Sequence, residues 1–496
     1  MKFRSFNPNL SSIRFLGWVV LVWMLCGTPI AWANQEIVKL AQANRWADFQ
    51  KQLTTDNVNA AFPDGTTSLH WAAFHGNVEA VRLVLNLTDK SDPSTIYSVS
   101  PLSLAAERGH HQIVSMLLAA SADVHQVRLG KETPLMLAAR NGDPKTIQIL
   151  LDHGAEVDAR EAKGQTALMW AAAAGNTSAV ECLIRANASL DIRLSNSGFT
   201  AFHFACRQGQ TEVAKNIVQA GFDVNDVLQV KRTGGRNPRN QMSGLMLAIE
   251  SGHFELALEL VKLGADPNDQ RSGYAPLHAV SWVRKTKVGD NPEGDPPPRI
   301  TGRYHSLQFV RKIVAAGADV NLRLLRDKKA KVGKAKLNPD GATPFLFAAA
   351  TADIPLLNLL LELGADPKIP NQDGCNALMA AAGVGVVAVG EEPGTEEEVA
   401  NTIRMLSKLG IDTNVVDQNG ETAMHGAAYR NYPAIVTLLS DLGADPEVWN
   451  RKNRHGWTPR SIAMGNRPGS VKPSPATVAA IDNALENLKD ESIQDD

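Results

Sequence analysis

Apolar residues recur along the chain at the spacing of short amphipathic helices, and a four-residue pattern marks where each helix pair begins. Thr133-Pro134-Leu135-Met136 is followed by an alanine pair, a glycine and a second apolar segment, and the same order returns from Thr166. The apolar third position of this pattern falls at 69, 102, 135, 168, 202, 245, 277, 345, 378 and 424. The sequence therefore predicts ten helix–turn–helix units, with a degenerate eleventh at Thr458-Pro459.

A period of 33 residues with this tetrad and an alanine pair resembles the ankyrin repeat family. The local chemistry agrees, because proline in the first helical turn costs no hydrogen bond and the preceding threonine can cap the helix. One such unit is too thin to bury its own apolar face, so neighbouring units must stack. The resemblance implies an all-α ankyrin-repeat solenoid of stacked helix–turn–helix units, about ten or eleven with end caps, that carry short β-hairpin fingers.

The repeat pattern divides the chain into consecutive segments. We expect capping helices at 34–64, ankyrin repeats at 65–456, a degenerate repeat and C-terminal cap at 457–489, and a short acidic tail at 490–496. Intervals longer than 33 residues indicate insertions, which enlarge fingers in two cases and separate the two helices of a unit in the other two. These insertions lie at about 226–241, 286–305, 322–340 and 387–398.

The first 33 residues have the features of a Sec signal peptide. Lys2, Arg4 and Arg14 form a positive region, an apolar run follows, and Ala31-Trp32-Ala33 supplies small residues for cleavage after Ala33. The apolar run is shorter than the roughly twenty residues needed to span a bilayer. We therefore expect a periplasmic or secreted protein with no membrane span after signal removal.

Composition excludes several classes of protein. The chain has 496 residues, of which 44% are hydrophobic and 21% charged, so it is neither disordered nor collagen-like. Lys and Arg number 50 against 52 Asp and Glu, so no overall charge indicates a nucleic-acid partner, and none is expected. Cys182, Cys206 and Cys375 are an odd number without a CxxC pair, which excludes a small disulfide scaffold.

Motifs for catalysis, metals and cofactors are not found in the sequence. There is no GxSxG, HExxH, Walker or CxxC motif, and the glycine run from Gly383 to Gly390 lacks dinucleotide-binding spacing. We interpret that run as a flexible helix end. The resemblance implies structural roles for the histidines at the fourth tetrad position, which would bond to backbone and threonine: His70, His203, His278 and His425. No metal or cofactor is expected.

The resemblance also implies where partner contacts lie. In ankyrin proteins the two positions after the alanine pair face a concave groove, whereas the residue directly after the tetrad, such as Trp71 or Trp170, packs inward. The groove candidates, rich in arginine and aromatic residues, are Phe74, His75, Arg108, Arg140, Asn141, Arg207, Gln208, Trp282, Tyr429 and Arg430. Ordinary solvated surface is the competing interpretation for each of them.

Two enlarged fingers carry an excess of positive charge. The basic-finger candidates are Lys231, Arg232, Arg236, Arg239, Arg326, Lys328, Lys329, Lys331, Lys334 and Lys336. Together they would form a basic ledge able to attract an anionic partner at low salt. The competing interpretation is a solvated loop that keeps a long array soluble.

The sequence therefore favours a non-catalytic protein–protein interaction scaffold of the bacterial envelope. It would bind an unidentified protein partner through the groove and the basic fingers. The alternative is a binder of anionic polymer or lipid headgroups, whose affinity would fall steeply with salt. An enzyme with a site between insertions is a third hypothesis.

Overall fold

The computed structural model describes residues 29–88, 90–231, 239–286, 298–325, 337–467 and 473–494. Within these ranges the secondary structure is helical and contains no strand, which confirms the expected all-α class. The described finger residues are loops rather than β-hairpins. Isolated bridges join Ala61 to Thr67 and Val227 to Ser243.

The described residues up to Leu194 form one compact unit, in which each first helix packs on the first helix of the next pair. The helices of its described part are α1 (Pro29–Gln42), α2 (Trp46–Gln52), α3 (Ser68–His75), α4 (Val78–Leu87), α5 (Pro101–Arg108), α6 (His111–Ala119), α7 (Pro134–Asn141), α8 (Pro144–Asp152), α9 (Ala167–Ala174) and α10 (Thr177–Arg185).

Residues Ser195–Asp496 form a second compact unit with the same alternation. The helices of its described part are α11 (Ala201–Gln208), α12 (Thr211–Gln219), α13 (Gly244–Glu250), α14 (Phe254–Lys262), α15 (Pro276–Arg284), α16 (Ser306–Ala315), α17 (Pro344–Ala350), α18 (Ile354–Glu362), α19 (Ala377–Ala382), α20 (Glu396–Lys408), α21 (Ala423–Arg430), α22 (Pro433–Asp441), α23 (Pro446–Trp449), α24 (Pro459–Ala463) and α25 (Pro475–Gln494).

The tetrad begins a first helix because its threonine caps the helix and its proline fits the first turn. The Thr133 hydroxyl accepts a hydrogen bond from the Met136 N–H at 3.2 Å, and Pro134 occupies the first turn, where a helix has no hydrogen bond to lose. Ala138 and Ala139 are fully buried, so neighbouring first helices approach closely over the alanine pair. The tetrad thus sets both the helix start and the packing face.

The tetrad histidines are structural. His70, His203 and His425 are buried and hydrogen-bond to the hydroxyls of their N-cap threonines, while His278 bonds to the Ala342 carbonyl oxygen at 3.1 Å. Burial lowers the pKa of His278 and of His425 to about 4, so both rings are neutral near pH 7. The expectation that these residues hold the fold is confirmed.

Successive pairs of the second unit are joined by a repeated asparagine bridge. The Asn225 amide donates to the Gly264 carbonyl oxygen at 2.9 Å, and its own oxygen accepts from the Asp266 N–H at 2.9 Å. Asn268, Asn321 and Asn414 make the same two bonds to the following pair. We call this set of contacts the asparagine ladder.

The ends of the described chain are helical. At the N-terminal end, Ile37, Val38 and Leu40 of α1 are buried, and this helix begins before the expected cleavage position. Cleavage itself stays a prediction from the sequence. At the C-terminal end, α25 continues to Gln494, so the expected acidic tail is helical as far as that residue.

Candidate functional site

The groove candidates of the first unit lie at the C-terminal ends of first helices. Phe74 and His75 end α3, where their rings contact Trp71 and Trp46 in an aromatic cluster with centroid separations of 5.3 to 6.1 Å. The His75 ring contacts each of the other three rings and so joins them into one cluster. A cluster of this kind offers a rigid surface at little entropic cost.

Two arginines continue this surface, which we call the first-helix surface. The Arg108 guanidinium lies over the Phe74 ring at 4.1 Å, and that of Arg140 lies over Trp170 at 5.1 Å. Arg140 also pairs with Glu107, yet 48% of its side chain remains exposed. Asn141 beside it is exposed as well. These cations are held in place and remain available for contact.

The residue after the tetrad is less buried than the sequence predicted. Leu137 and Leu247 are core residues, with exposed fractions of 1% and 5%. Trp71, Trp170 and Phe347 are only half-buried, so their expected burial as core residues is wrong. The outer faces of Trp71 and Trp170 contribute to the same surface as Arg108 and Arg140.

In the second unit, the first pair follows the prediction. Arg207 and Gln208 are exposed at the end of α11, and the Arg207 guanidinium lies over the Phe199 ring at 5.8 Å. The arrangement of an arginine over an aromatic ring therefore occurs in both units.

Tyr429 and Arg430 were predicted as exposed groove residues, and this prediction is wrong. Tyr429 is 1% exposed and donates its hydroxyl proton to Glu421 at 3.0 Å. Arg430 is 3% exposed and donates to the carbonyl oxygens of Pro393 and Ala350 at 3.1 and 3.0 Å. Burial lowers the pKa of the Arg430 guanidinium. Both side chains are covered because an insertion and a later segment fold over them.

The glycine run that leads into that insertion packs tightly instead of forming a flexible helix end. A Cβ at Gly385 would overlap the backbone of Leu337, and one at Gly383 would lie 2.6 Å from Arg430 Cγ. Both glycines have positive φ, at 92° and 121°. The interpretation of this run as a flexible end is therefore wrong, since close backbone approach requires glycine here.

The acids that follow the glycine run have a structural role. Thr395 and Glu398 form a capping box at the start of α20, with backbone-to-side-chain bonds of 2.9 and 3.2 Å. Glu396, Glu397 and Glu398 occupy the first turn, where the helix dipole favours negative charge. Among the described residues, no group of His, Cys, Asp and Glu could hold a metal ion.

The segment after α19, which includes part of the insertion, forms one wall of a cavity in the second unit. Its volume is about 600 Å³, and its lining comes from α15, α17, α19, α21 and the segment after α19. Trp282, Arg430 and Arg239, predicted separately as groove and finger residues, all line it. Sequence reasoning did not predict the cavity, and the length of the 387–398 insertion was its only signal.

Arg239 was predicted as a cation of a solvent-facing finger, and the structure contradicts this. Its guanidinium pairs with Glu250 and lies over the Tyr274 and Trp282 rings at 5.3 and 5.8 Å. Lys231 is exposed, as predicted. The remaining basic-finger candidates lie outside the described residues: Arg232, Arg236, Arg326, Lys328, Lys329, Lys331, Lys334 and Lys336. The anionic-surface alternative therefore stays a prediction from the sequence.

The described part of the chain offers little other chemistry. Cys182, Cys206 and Cys375 are buried free thiols, and burial raises the pKa of the Cys206 and Cys375 thiols well above the usual range. None of the described helices is long and apolar enough to cross a membrane. The cavity and the first-helix surface are thus the two features suited to recognition.

Comparison with known families gives the class of the chain. Family models for ankyrin repeats match residues 28–128, 89–161 and 135–227, and a single-repeat model matches 419–451. These segments coincide with the helix pairs of the first unit and with the α11–α12 and α21–α22 pairs of the second. The chain belongs to the ankyrin repeat family.

The curated relatives that this chain matches are much longer proteins, of which the aligned residues make up a fifth or less. E3 ubiquitin-protein ligase KEG of Arabidopsis thaliana is 24% identical over 318 residues, which are 60% of this chain and 17% of the relative. Phosphocholine transferase AnkX of Legionella pneumophila is 24% identical over 218 residues, 42% of this chain and 20% of the relative. Ankyrin repeat and KH domain-containing protein mask-1 of Caenorhabditis elegans is 27% identical over 338 residues, 64% of this chain and 10% of the relative.

Proposed function

We propose that this protein is a non-catalytic scaffold that binds a protein partner through its first-helix surface. The carrying observation is that Arg108 and Arg140 of the first unit are exposed and each lies over an aromatic ring, an arrangement that Arg207 repeats within the second unit. Arginine and aromatic residues are the usual anchors of protein interfaces. Because stacking and ion pairing already restrict these side chains, binding loses less conformational entropy.

The relatives support a binding role for the shared region. Two of them are named as a ligase and a transferase, yet the aligned residues make up only 17% and 20% of those chains. Ankyrin units are extended surfaces with little inherent chemistry. We therefore assign to this chain the interaction role of the repeats rather than the activities named for those relatives.

We further propose that the scaffold works in the bacterial envelope. The support is the positive region, the apolar run and the Ala31-Trp32-Ala33 sequence at the start of the chain. A protein exported in this way would meet its partner in the periplasm or outside the cell.

Site-specific photo-crosslinking tests the proposed surface. A photoreactive amino acid replaces Asn141 or Gln208, both exposed at first-helix ends, and in a matched variant replaces Gln148, which is exposed on the second helix α8. In native envelope extract, the first two variants should crosslink one shared protein, whereas the Gln148 variant should not.

Mass spectrometry of the recovered chain tests the proposed export, and it should find an N-terminus at Asn34.

Charge reversal adds an independent control. Arg140→Glu places a carboxylate beside Glu107 and should abolish crosslinking from position 141, whereas Arg185→Glu, on the second helix α10, should leave it intact. Crosslinking that is equally strong from position 148, or that survives Arg140→Glu, would place the interface elsewhere. Recovery of an uncleaved chain would contradict export by signal cleavage.

A further inference from the structure

The cavity of the second unit has one wall made of aromatic rings. Tyr274 and Trp282 meet edge to face at a centroid separation of 5.0 Å, and Phe347 lies 6.0 and 6.2 Å from them. All three are half-buried and line the cavity. Aromatic rings that are held in place in this way provide a surface on which another aromatic ring can pack edge-to-face or offset-stacked.

The opposite wall is built by backbone and small apolar side chains. The segment after α19 contributes Val384 to Ala388 and Pro393, and Leu337 packs against Gly385. The space between the walls is about 600 Å³, within the range of sites that bind small ligands or anchor side chains. The cavity is therefore a slot with an apolar interior.

Three polar atoms at this slot have no hydrogen-bond partner among the described residues. The Ser281 hydroxyl is fully buried, and the Nε atoms of Arg239 and Arg430 are buried as well. Buried polar groups are nearly always satisfied, and each exception calls for an explanation. Two N–H donors and a hydroxyl match the acceptor oxygens of a peptide backbone.

Charge does not select the occupant, because the cations at the slot already have acidic neighbours. Arg239 pairs with Glu250, and Lys285 lies 2.8 Å from the Glu398 carboxylate. Glu391 and Glu392 on the insertion supply further negative charge close to Arg430. An uncharged aromatic group with amide carbonyls fits this environment better than an anion or a cation does.

We propose that this cavity receives an aromatic side chain of a partner polypeptide, with its flanking peptide carbonyls bonded by Ser281, Arg239 and Arg430. This inference rests on the proposed scaffold function and names the chemistry of the partner. The aromatic wall supplies most of the contact area, and the unpartnered donors fix the peptide that carries the ring.

The first test uses N-acetyl-L-tryptophanamide as the probe and saturation-transfer NMR on the full chain as the measurement. Ala388→Trp fills the slot from the insertion, whereas Val389→Trp adds the same side chain at the next residue, which does not line the cavity and is already 39% exposed. Ala388→Trp should weaken binding of the probe by about tenfold, as loss of a packed aromatic contact does. Val389→Trp should bind like the parent.

Two further probes and one variant separate the possible outcomes. Indole, which lacks the amides, should bind more weakly than N-acetyl-L-tryptophanamide, and N-acetyl-L-alaninamide should not bind. Ser281→Ala should weaken the tryptophanamide while keeping or raising the Tm, because it removes a buried unsatisfied hydroxyl. A purely structural serine would not change probe binding.

Several results would overturn the inference. These are equal binding to the parent and to Ala388→Trp, tighter binding of indole than of the tryptophanamide, or binding of the alaninamide at the same level. Failure here is distinguishable from failure of the scaffold function, because crosslinking from position 141 reports on the first unit alone. Absence of probe binding to the parent chain, with intact crosslinking from position 141, rejects the slot and keeps the scaffold.

Discussion

At the scale of single residues, Glu421 has an environment that makes the stability of the fold depend on pH. Glu421 is 4% exposed and its carboxylate accepts hydrogen bonds from Tyr429 and Asn453, while the charge of Asp417 raises its pKa and that of Arg454 lowers it. Burial, assisted by Asp417, raises the pKa of Glu421 to about 7. The folded protein thus holds a proton that the unfolded chain releases near pH 4.5.

Loss of the Glu421 proton should lower the free energy of unfolding as the pH rises. Between about pH 4.5 and 7 the folded state binds more protons at Glu421 than the unfolded state, so the free energy of unfolding decreases with rising pH. Glu421→Gln keeps a neutral side chain and should reduce the loss of Tm between pH 5 and pH 8. A Tm that falls equally in parent and variant would show that Glu421 is not the group responsible. Glu447→Gln, at an exposed position on α23, is the matched control.

The residues that sequence reasoning placed correctly are those whose surroundings are local to one repeat. Arg108, Arg140 and Arg207 are exposed because the end of a first helix is set by its own tetrad. Tyr429 and Arg430 occupy the same repeat position, but their partners lie at Ala350, Pro393 and Asn453. Contacts over such distances depend on how the insertions fold, which the repeat pattern does not encode.

At the scale of elements, the asparagine ladder links helix pairs of the second unit to the pairs that follow them. The ladder has one gap. Lys368 occupies the position that is asparagine in the other pairs, and Gly410 and Asp412 are the residues to which an asparagine there would correspond. Lys368 is exposed. The period of the repeats could be predicted from the sequence, but these bonds could not, because they join residues whose separations vary with the insertions.

Two substitutions test the ladder in opposite directions. Asn268→Ala removes bonds to Gly317 and Asp319 and should lower the free energy of unfolding by ~0.5–1.5 kcal/mol per lost hydrogen bond. Lys368→Asn should supply the missing rung and raise the Tm. Thermal and urea unfolding measure both effects.

Matched substitutions in α20 serve as controls for these changes. Asn401→Ala and Lys408→Asn alter exposed residues that lie outside the ladder, so neither should reproduce the corresponding effect. An unchanged or lowered Tm for Lys368→Asn would show that the gap has a geometric cause.

At the scale of the whole molecule, the C-terminal helix closes the apolar end of the second unit. α25 packs on α22, with Ile481 fully buried and Ala484 6% exposed. Stacked repeats need such a cover, since each unit leaves an apolar face for its neighbour.

Disrupting this cover should destabilise the chain and promote aggregation. Ile481→Asp buries an unpaired charge and should cost about 3 kcal/mol or more, while Asn483→Asp adds the same charge at an exposed position of α25 and should have little effect. Light scattering during thermal unfolding measures aggregation. Equal behaviour of the two variants would mean that α25 is not an essential cap.

The asparagine ladder also bears on how such a chain can change over evolutionary time. Its rungs have nearly constant lengths of 2.9 to 3.1 Å, although the joined residues are 39, 49, 43 and 29 positions apart. A mutation that lengthens the chain between two rungs therefore leaves the bond between the pairs intact. Insertions can be acquired, diversified and selected one repeat at a time. The 286–305 insertion is an example, because it falls between Asn268 and Gly317, whose bond is retained.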